Sequence, residues 1–171
     1  MNKIKKLFTL TLIVGFTINA SGQDTATATA TATIITPITI ANAGDMNFGN
    51  IAVQAGTAGT VVIAPAGTRT STAGVTLPST VGTVSAASFT VGGQGTYTYT
   101  ITIPSADHTI TESVTSATMI VNTFTSTPSG TGALTAGAQT INVGATLNVG
   151  AAQAPGVYTN NTGFDVTVNY N

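Results

Sequence analysis

The sequence predicts an all-β fold, either a sandwich or a barrel, and three observations lead to this prediction. Apolar and polar residues alternate with a period of two in almost every patterned segment, as in a β-strand. Clusters of Gly, Pro, Ser and Asn separate these short segments. Charged residues make up only 5% of the chain, against about 25% in typical soluble domains. This composition favours extended strands and supplies few charges that would oppose edge-to-edge association.

The first 22 residues have the three regions of an export signal. Lys3, Lys5 and Lys6 form a positive start, residues 7–18 are mostly apolar, and residues 20–22 are small. The apolar run is too short for a permanent membrane-spanning helix, so a retained anchor is the less favoured alternative. We therefore expect a signal peptide over residues 1–22 and an exported protein. We expect it in the periplasm in transit and then at the cell surface or outside the cell.

Removing the signal leaves a chain that is almost free of positive charge. Arg69 is the one basic residue against five acidic residues, and one positive minus five negative charges gives a net charge of −4. Such a chain lacks the basic surface that binding to nucleic acid or to anionic membranes requires. No integral membrane segment is expected after cleavage. The chain has no Cys, so no disulfide supports the fold.

The alternating segments predict ten strands in one domain, residues 34–171, preceded by an arm, residues 23–33. Pro37 interrupts the first predicted strand and suggests that this strand lies at a sheet edge. One helical turn over residues 113–117 is the single helix signal. The predicted strands are residues 34–40, 46–51, 60–64, 87–91, 96–103, 118–124, 138–143, 146–149, 156–158 and 164–170.

Two of these strands show which side chains face the core. In one strand the side chains of Tyr97, Tyr99, Ile101 and Ile103 share a face, and the intervening Thr residues share the other. In the last predicted strand the apolar face consists of Phe164, Val166, Val168 and Tyr170. A slip of one residue would expose either apolar set, so the register of both strands is well specified.

The arm has the strictest alternation in the chain, Thr-Ala repeated from Thr25 to Thr33. Its small apolar residues are Ala26, Ala28, Ala30 and Ala32, and Ile34 follows them. A strand pattern ahead of the domain suggests that the arm pairs with another protein. Two alternatives stay open: the arm is a flexible linker, or it extends the first strand of a complete monomeric sandwich.

No set of residues predicts catalysis, a cofactor or a metal site. His108 is the only histidine and is expected in a solvated loop, with Asp107 and Glu112 as its nearby acids. A hydrolase nucleophile needs a base and a third orienting group, and no G-x-S-x-G motif is present. Scattered Asp residues and backbone carbonyls leave a calcium site open, although no motif supports one. We therefore expect a protein that is not an enzyme.

Three pieces of the chain together resemble the exported bacterial family called domain of unknown function 4402. They are residues 31–40, then Met46-Asn47-Phe48-Gly49-Asn50-Ile51, and then residues 145–151 leading through Pro155-Gly156-Val157-Tyr158 to residues 164–170. The resemblance covers nearly the whole exported chain. More distantly, the chain is similar to spore coat protein U domains and to chaperone–usher pilins.

These resemblances imply an antiparallel, immunoglobulin-like or pilin-like β-sandwich of Greek-key type that is incomplete and assembles by strand addition. In chaperone–usher pilins one subunit lends its N-terminal extension to the open groove of the next. Carried over, residues 23–33 with Ile34 are the donor, and Phe164, Val166, Val168 and Tyr170 line the groove. A donor arm normally carries bulky apolar residues, whereas this arm offers mainly alanine. Its partners would be copies of itself or related subunits, a periplasmic chaperone and outer-membrane assembly machinery.

The resulting expectation is a structural or adhesive surface protein, a fimbria-like subunit that assembles by strand donation. The alternative is a solitary secreted or surface-displayed binding module, for example a glycan adhesin, with a complete sandwich. An apolar cleft with convergent polar groups in the folded monomer would favour this alternative.

Overall fold

The structure is a computed structural model that describes residues 22–171, and this part of the chain contains β-strands and no helix. The predicted all-β class is therefore confirmed. The chain divides into two compact units, Met1–Thr33 and Ile34–Asn171. In the first unit the described residues 22–33 form no strand, and each is exposed. The predicted signal peptide lies outside the described residues except for Gly22.

Thirteen strands make up the second unit. In chain order they are β1 (Thr39–Gly44), β2 (Ala52–Val53), β3 (Gly59–Ile63), β4 (Arg69–Ala73), β5 (Val75–Thr76), β6 (Ala87–Gly92), β7 (Thr98–Thr102), β8 (His108–Glu112), β9 (Thr118–Thr127), β10 (Thr131–Ala133), β11 (Ala138–Val149), β12 (Tyr158–Thr159) and β13 (Thr167–Tyr170). In residues 22–171 no helix has the length and hydrophobicity that crossing a membrane requires.

An eight-stranded antiparallel sheet forms the larger layer, in the order β1-β6-β11-β9-β8-β12, and β3 joins it between β11 and β4. The long central strand β11 organises this sheet. On one side its first half pairs with β6 and its second half with β3, and on the other side it pairs with β9. Alternate β11 side chains, such as Ile141, Val143 and Leu147, are buried in the core.

The sequence predicted two strands where β11 runs unbroken through Gly144. This glycine is buried, and a Cβ atom on it would lie 2.8 Å from the carbonyl carbon of Ala64. The pairing of β11 with β9 is also irregular between Gly144 and Thr146. Gly144 therefore marks close backbone approach within one strand rather than a break between two strands.

The smaller layer is the three-stranded sheet β10-β7-β13, which packs over part of the larger sheet. Tyr99, Ile101 and Val166 enter one hydrophobic core with Val91 and Ile141 of the larger sheet. The two layers make the fold sandwich-like. A separate two-stranded pair, β2 with β5, lies beside them.

Several predicted elements were wrong. Residues 34–38 form no strand, and β1 begins only at Thr39 and ends at Gly44. Residues 46–51 are a loop with one bridge from Asn47 to Ser85. Gly49 has a φ of +69° there, and its N–H donates to the side chain of Asn47. A local turn therefore replaces the predicted strand.

Five strands were missed: β2 and β5 because they have only two residues each, and β4, β8 and β10 because their apolar alternation is weak. Arg69–Ala73 is nearly all polar, and it pairs with β3, where the hydroxyls of Thr60 and Thr72 lie 2.7 Å apart. The expected helical turn over residues 113–117 is a hydrogen-bonded turn between β8 and β9. Tyr97 is 47% exposed and lies outside β7, so its predicted core position was wrong, whereas Tyr99 is fully buried.

Candidate functional site

Each of the two layers ends in an edge strand that is paired on one side only, and these two edge strands are neighbours. Within the described residues β1 pairs only with β6, and β13 pairs only with β7. Cα atoms of β1 and β13 approach within 8 Å, but no ladder of hydrogen bonds joins the two strands. We call the space between them the seam.

The backbone of β13 directs half of its hydrogen-bonding groups into the seam. The N–H of Asn171 donates to the carbonyl of Thr98 on β7 at 3.3 Å. Because alternate residues of an antiparallel strand bond to the same neighbour, Thr167 and Asn169 also bond to β7. The N–H and C=O groups of Val168 and Tyr170 therefore point away from β7, toward the seam.

The backbone of β1 also directs hydrogen-bonding groups away from β6, its only partner strand in the described residues. The N–H of Gly93 donates to the carbonyl of Gly137 at 2.9 Å. This bond shows that the odd-numbered residues of β6 direct their backbone groups to β11 and the even-numbered ones to the other side. Thr90 and Gly92 of β6 then bond to β1, at Ala41 and Thr39. The backbone groups of Ile40 therefore point away from β6, toward the edge of β1 that borders the seam.

The residues predicted to line a groove lie along β13 or just before it. Val166 is 8% exposed, and Val168 and Tyr170 are half-buried against the core. Phe164 precedes the strand and packs against Phe124, with ring centroids 4.9 Å apart. The structure therefore brings these four side chains onto one apolar face next to the seam.

A hydrogen-bonded cluster joins the segment before β1 to the end of β13. The hydroxyl of Tyr170 accepts a hydrogen bond from the N–H of Gln94 at 2.6 Å and donates one to the carbonyl of Thr36 at 3.0 Å. The hydroxyl of Thr36 donates to the side-chain oxygen of Gln94 at 2.8 Å. Tyr97 packs edge-on against the Tyr170 ring at 5.7 Å. Gly93 lies so close that any side chain there would collide with the Tyr170 hydroxyl.

The predicted donor residues are all accessible. Ala26, Ala28, Ala30 and Ala32 are exposed in a segment with no assigned strand. Ile34, at the start of the second unit, is 96% exposed, which is the highest exposure among the large apolar side chains of the described residues.

A cleft of about 1160 Å³ opens where β1 ends and before β13 begins. Its lining includes Asn42 and Gly44 of β1 and Phe164 before β13. Aromatic rings cluster within it: the ring of His108 lies 5.4 Å from that of Phe124 and 6.2 Å from that of Phe164. The prediction that His108 lies in a solvated loop was wrong, because this residue is half-buried at the start of β8.

The polar groups around the cleft largely bond to each other. Asn42 donates to the carboxylate of Asp45 at 2.7 Å, and Asn160 donates to the carbonyl of Gly163 at 3.1 Å. In residues 22–171 no buried side-chain nitrogen or oxygen lacks a partner. In the same residues no group of three or more His, Cys, Asp or Glu side chains is placed to hold a metal ion.

Two charged residues have structural roles that the sequence did not indicate. Arg69 donates from one guanidinium nitrogen to the carbonyls of Phe48 and Asn50, two residues in the wall of the cleft. Arg69 is the single Lys or Arg in residues 22–171, but nothing in the sequence around it indicates these two carbonyl partners.

Glu112 is 5% exposed, and its carboxylate accepts hydrogen bonds from the N–H and hydroxyl of Thr115 and from the N–H of Val114. The N–H of Thr115 is the main cause that lowers the pKa of this carboxyl, and its hydroxyl adds to the effect. Burial raises the pKa of the Tyr99 hydroxyl, which donates to the side-chain oxygen of Gln139 at 2.6 Å.

Comparison with known proteins gives one match. A family model described as "Domain of unknown function (DUF4402)" matches residues 38–170. No curated protein and no solved structure matches the chain.

Proposed function

This chain belongs to the DUF4402 family, and we propose that it is an exported, non-enzymatic surface protein that assembles into fibres by β-strand addition. The observation that carries the proposal is the seam. Two unpaired edge strands lie side by side and direct backbone N–H and C=O groups into the space between them. The same chain carries an alternating, exposed arm that forms no strand.

The energetics indicate which part of the arm matters most. Val168 and Tyr170 offer four backbone groups, and at about 0.5–1.5 kcal/mol for each hydrogen bond they contribute only a few kcal/mol. The alanine side chains of the arm add little apolar area. Burying Ile34, now 96% exposed, would contribute a further ~1.5–3 kcal/mol. The donor segment in this proposal is therefore the arm together with Ile34.

Assembly by strand addition determines which partner the chain binds and where in or on the cell it acts. The partner is a second copy of the chain or a related subunit, because the contact joins different surfaces of two subunits and repeats along a filament. The place is the cell surface, reached by export through the periplasm. A periplasmic chaperone that covers the seam and an outer-membrane assembly machinery fit this route.

Gel migration of protein exported by its native host, boiled against unboiled, tests the proposal. We expect a ladder of species that collapses on boiling, because added strands are held by noncovalent bonds alone. Deleting residues 23–33 should abolish the ladder. A matched control replaces these residues by an equally long Gly/Ser segment, which keeps the length and removes the alternation. A single band for the unaltered protein, boiled or not, would contradict assembly.

A second candidate function has one specific observation in its favour. The cleft of about 1160 Å³ has aromatic rings inside and neutral Asn and Thr side chains around it, as a site for an uncharged glycan would. Under this proposal the protein is a solitary binding module. We expect Phe124→Ala to abolish binding on a neutral-glycan array, and Val114→Ala, whose exposed side chain lies outside the cleft lining, to leave it unchanged. Absence of binding by the unaltered protein would count against this candidate.

A further inference from the structure

We propose that the Tyr170 hydroxyl is a latch that keeps the seam closed, and that the arm of a second copy must open this latch before it can add as a strand. This inference rests on the proposed assembly by strand addition. It names the surface that accepts the arm, the outer edge of β13, and the group that controls access to it.

The width of the seam shows that opening is needed. Neighbouring strands in a sheet lie about 4.8 Å apart, so a strand inserted between two others needs roughly 9.6 Å between them. Cα atoms of β1 and β13 already approach within 8 Å. The two edges must therefore separate by roughly 1.5 Å or more where they are closest before an incoming strand fits.

The latch is the hydrogen-bonded cluster around Tyr170. Its hydroxyl uses both its accepting and its donating capacity, toward the N–H of Gln94 and the carbonyl of Thr36. Thr36 belongs to the segment that leads into β1, and no ladder of hydrogen bonds joins β1 to β13 within the described residues. The cluster thus ties the seam together at one end by side-chain bonds.

The hydroxyl of Tyr170 can be removed without removing the ring that packs against the core. The Tyr170 ring rests edge-on against Tyr97 at 5.7 Å and is half-buried against the core. Phenylalanine keeps this ring and removes the two hydrogen bonds. A net loss of about one hydrogen bond's stabilisation would raise the population of the open seam roughly fivefold.

Tyr158 supplies a matched control. Its hydroxyl accepts a hydrogen bond from the side-chain amide of Gln153 at 2.8 Å and donates one to the carbonyl of Ala154 at 2.6 Å, the same pattern as at Tyr170. It lies in β12, at the other edge of the eight-stranded sheet from β1. Tyr158→Phe therefore removes an equivalent pair of hydrogen bonds without touching the seam.

The experiment measures how fast a fluorescein-labelled peptide of residues 23–35 associates with the exported full chain, followed by anisotropy. We expect Tyr170→Phe to bind the peptide roughly fivefold faster than the unaltered protein, and Tyr158→Phe to match the unaltered protein. Equal rates for all three would overturn the latch while leaving strand addition supported. Equal acceleration by both variants would also overturn it, because general loosening would then explain the effect.

Amide hydrogen exchange separates failure of the latch from failure of assembly. The amide of Gln94 should exchange faster in Tyr170→Phe than in the unaltered protein, with or without peptide. Unchanged exchange would overturn the latch directly. If the peptide binds none of the three proteins, the proposed assembly through residues 23–35 fails, and the gating role of Tyr170 fails with it.

Discussion

Replacing Gly132 by alanine tests how tightly the smaller sheet is packed. Gly132 of β10 lies opposite Tyr99 of β7 and is buried. A Cβ atom on Gly132 would lie 2.6 Å from the side-chain oxygen of Gln139 and 2.5 Å from the hydroxyl oxygen of Tyr99. The Tyr99 ring carbon that carries this hydroxyl would be closer still. Ordinary van der Waals contacts of a Cβ atom span 3.4–4 Å, so the ring or the strand must move.

The cost follows from how little room the ring has. Overpacking of this kind typically costs about 1–3 kcal/mol. Because Tyr99 is 0% exposed, its ring has no path to solvent, and we expect the upper end, about 3 kcal/mol. For a domain of this size that lowers the melting temperature by roughly 6–12 °C. Since Tyr99 lies opposite Tyr170, the strain also falls on the strand that borders the seam.

Thermal unfolding followed by circular dichroism measures the effect. Gly56→Ala is the control, because Gly56 has no atom within 4 Å of the added methyl position and no positive φ. The double variant Gly132→Ala/Tyr99→Leu removes the two colliding atoms of Tyr99 and should cost less than the sum of its single changes. If Gly132→Ala melts at the same temperature as Gly56→Ala, the inferred close contact between Gly132 and the Tyr99 ring is wrong.

Three further predictions concern stability. Because the pKa of Glu112 is lowered in the folded state, the unfolded state takes up a proton at this carboxyl first as the pH falls. The stability that the Glu112 carboxylate contributes is therefore present above about pH 4.5 and is lost as the pH falls through the folded-state pKa. Glu112→Gln should be less stable than the unaltered protein at neutral pH and should lose less stability on acidification, and an equal loss of stability in both proteins, measured by urea unfolding at neutral and at acidic pH, would contradict this. Arg69→Met leaves two carbonyls without their donor and should cost about 1–3 kcal/mol in urea unfolding, with Arg69→Lys in between. Leu147→Ala, at a position 1% exposed, should cost about 2–5 kcal/mol, whereas Val157→Ala, 80% exposed, should stay within about 0.5 kcal/mol.

Strand prediction succeeded where one face of a strand is buried. In β7, Tyr99 and Ile101 are buried while Thr98, Thr100 and Thr102 are exposed, as the alternation predicts. In β13, Val168 and Tyr170 are half-buried and their neighbours exposed. Burial of one face imposes a period of two on the sequence, and that period is visible without a structure.

Prediction failed where neighbouring chain segments, rather than burial of one face, decide the conformation. Residues 46–51 alternate like a strand, yet the Asn47–Gly49 turn and the Arg69 guanidinium hold them as a loop. The polar strand β4 exists because β3 offers it a complete ladder. His108 joins an aromatic cluster with Phe124 of the neighbouring strand β9 and with Phe164, which precedes β13.

The sequence by itself determined the all-β class and the inward faces of β7 and β13, because these depend on local alternation and composition. The family relationship was also accessible from the sequence, through its motifs. Only the tertiary structure decided that β1 and β13 meet as unpaired edges, that Tyr170 bridges Gln94 and Thr36, and that a cleft opens beyond them. These features depend on contacts between residues up to 134 positions apart, and no local pattern specifies which distant strands lie side by side.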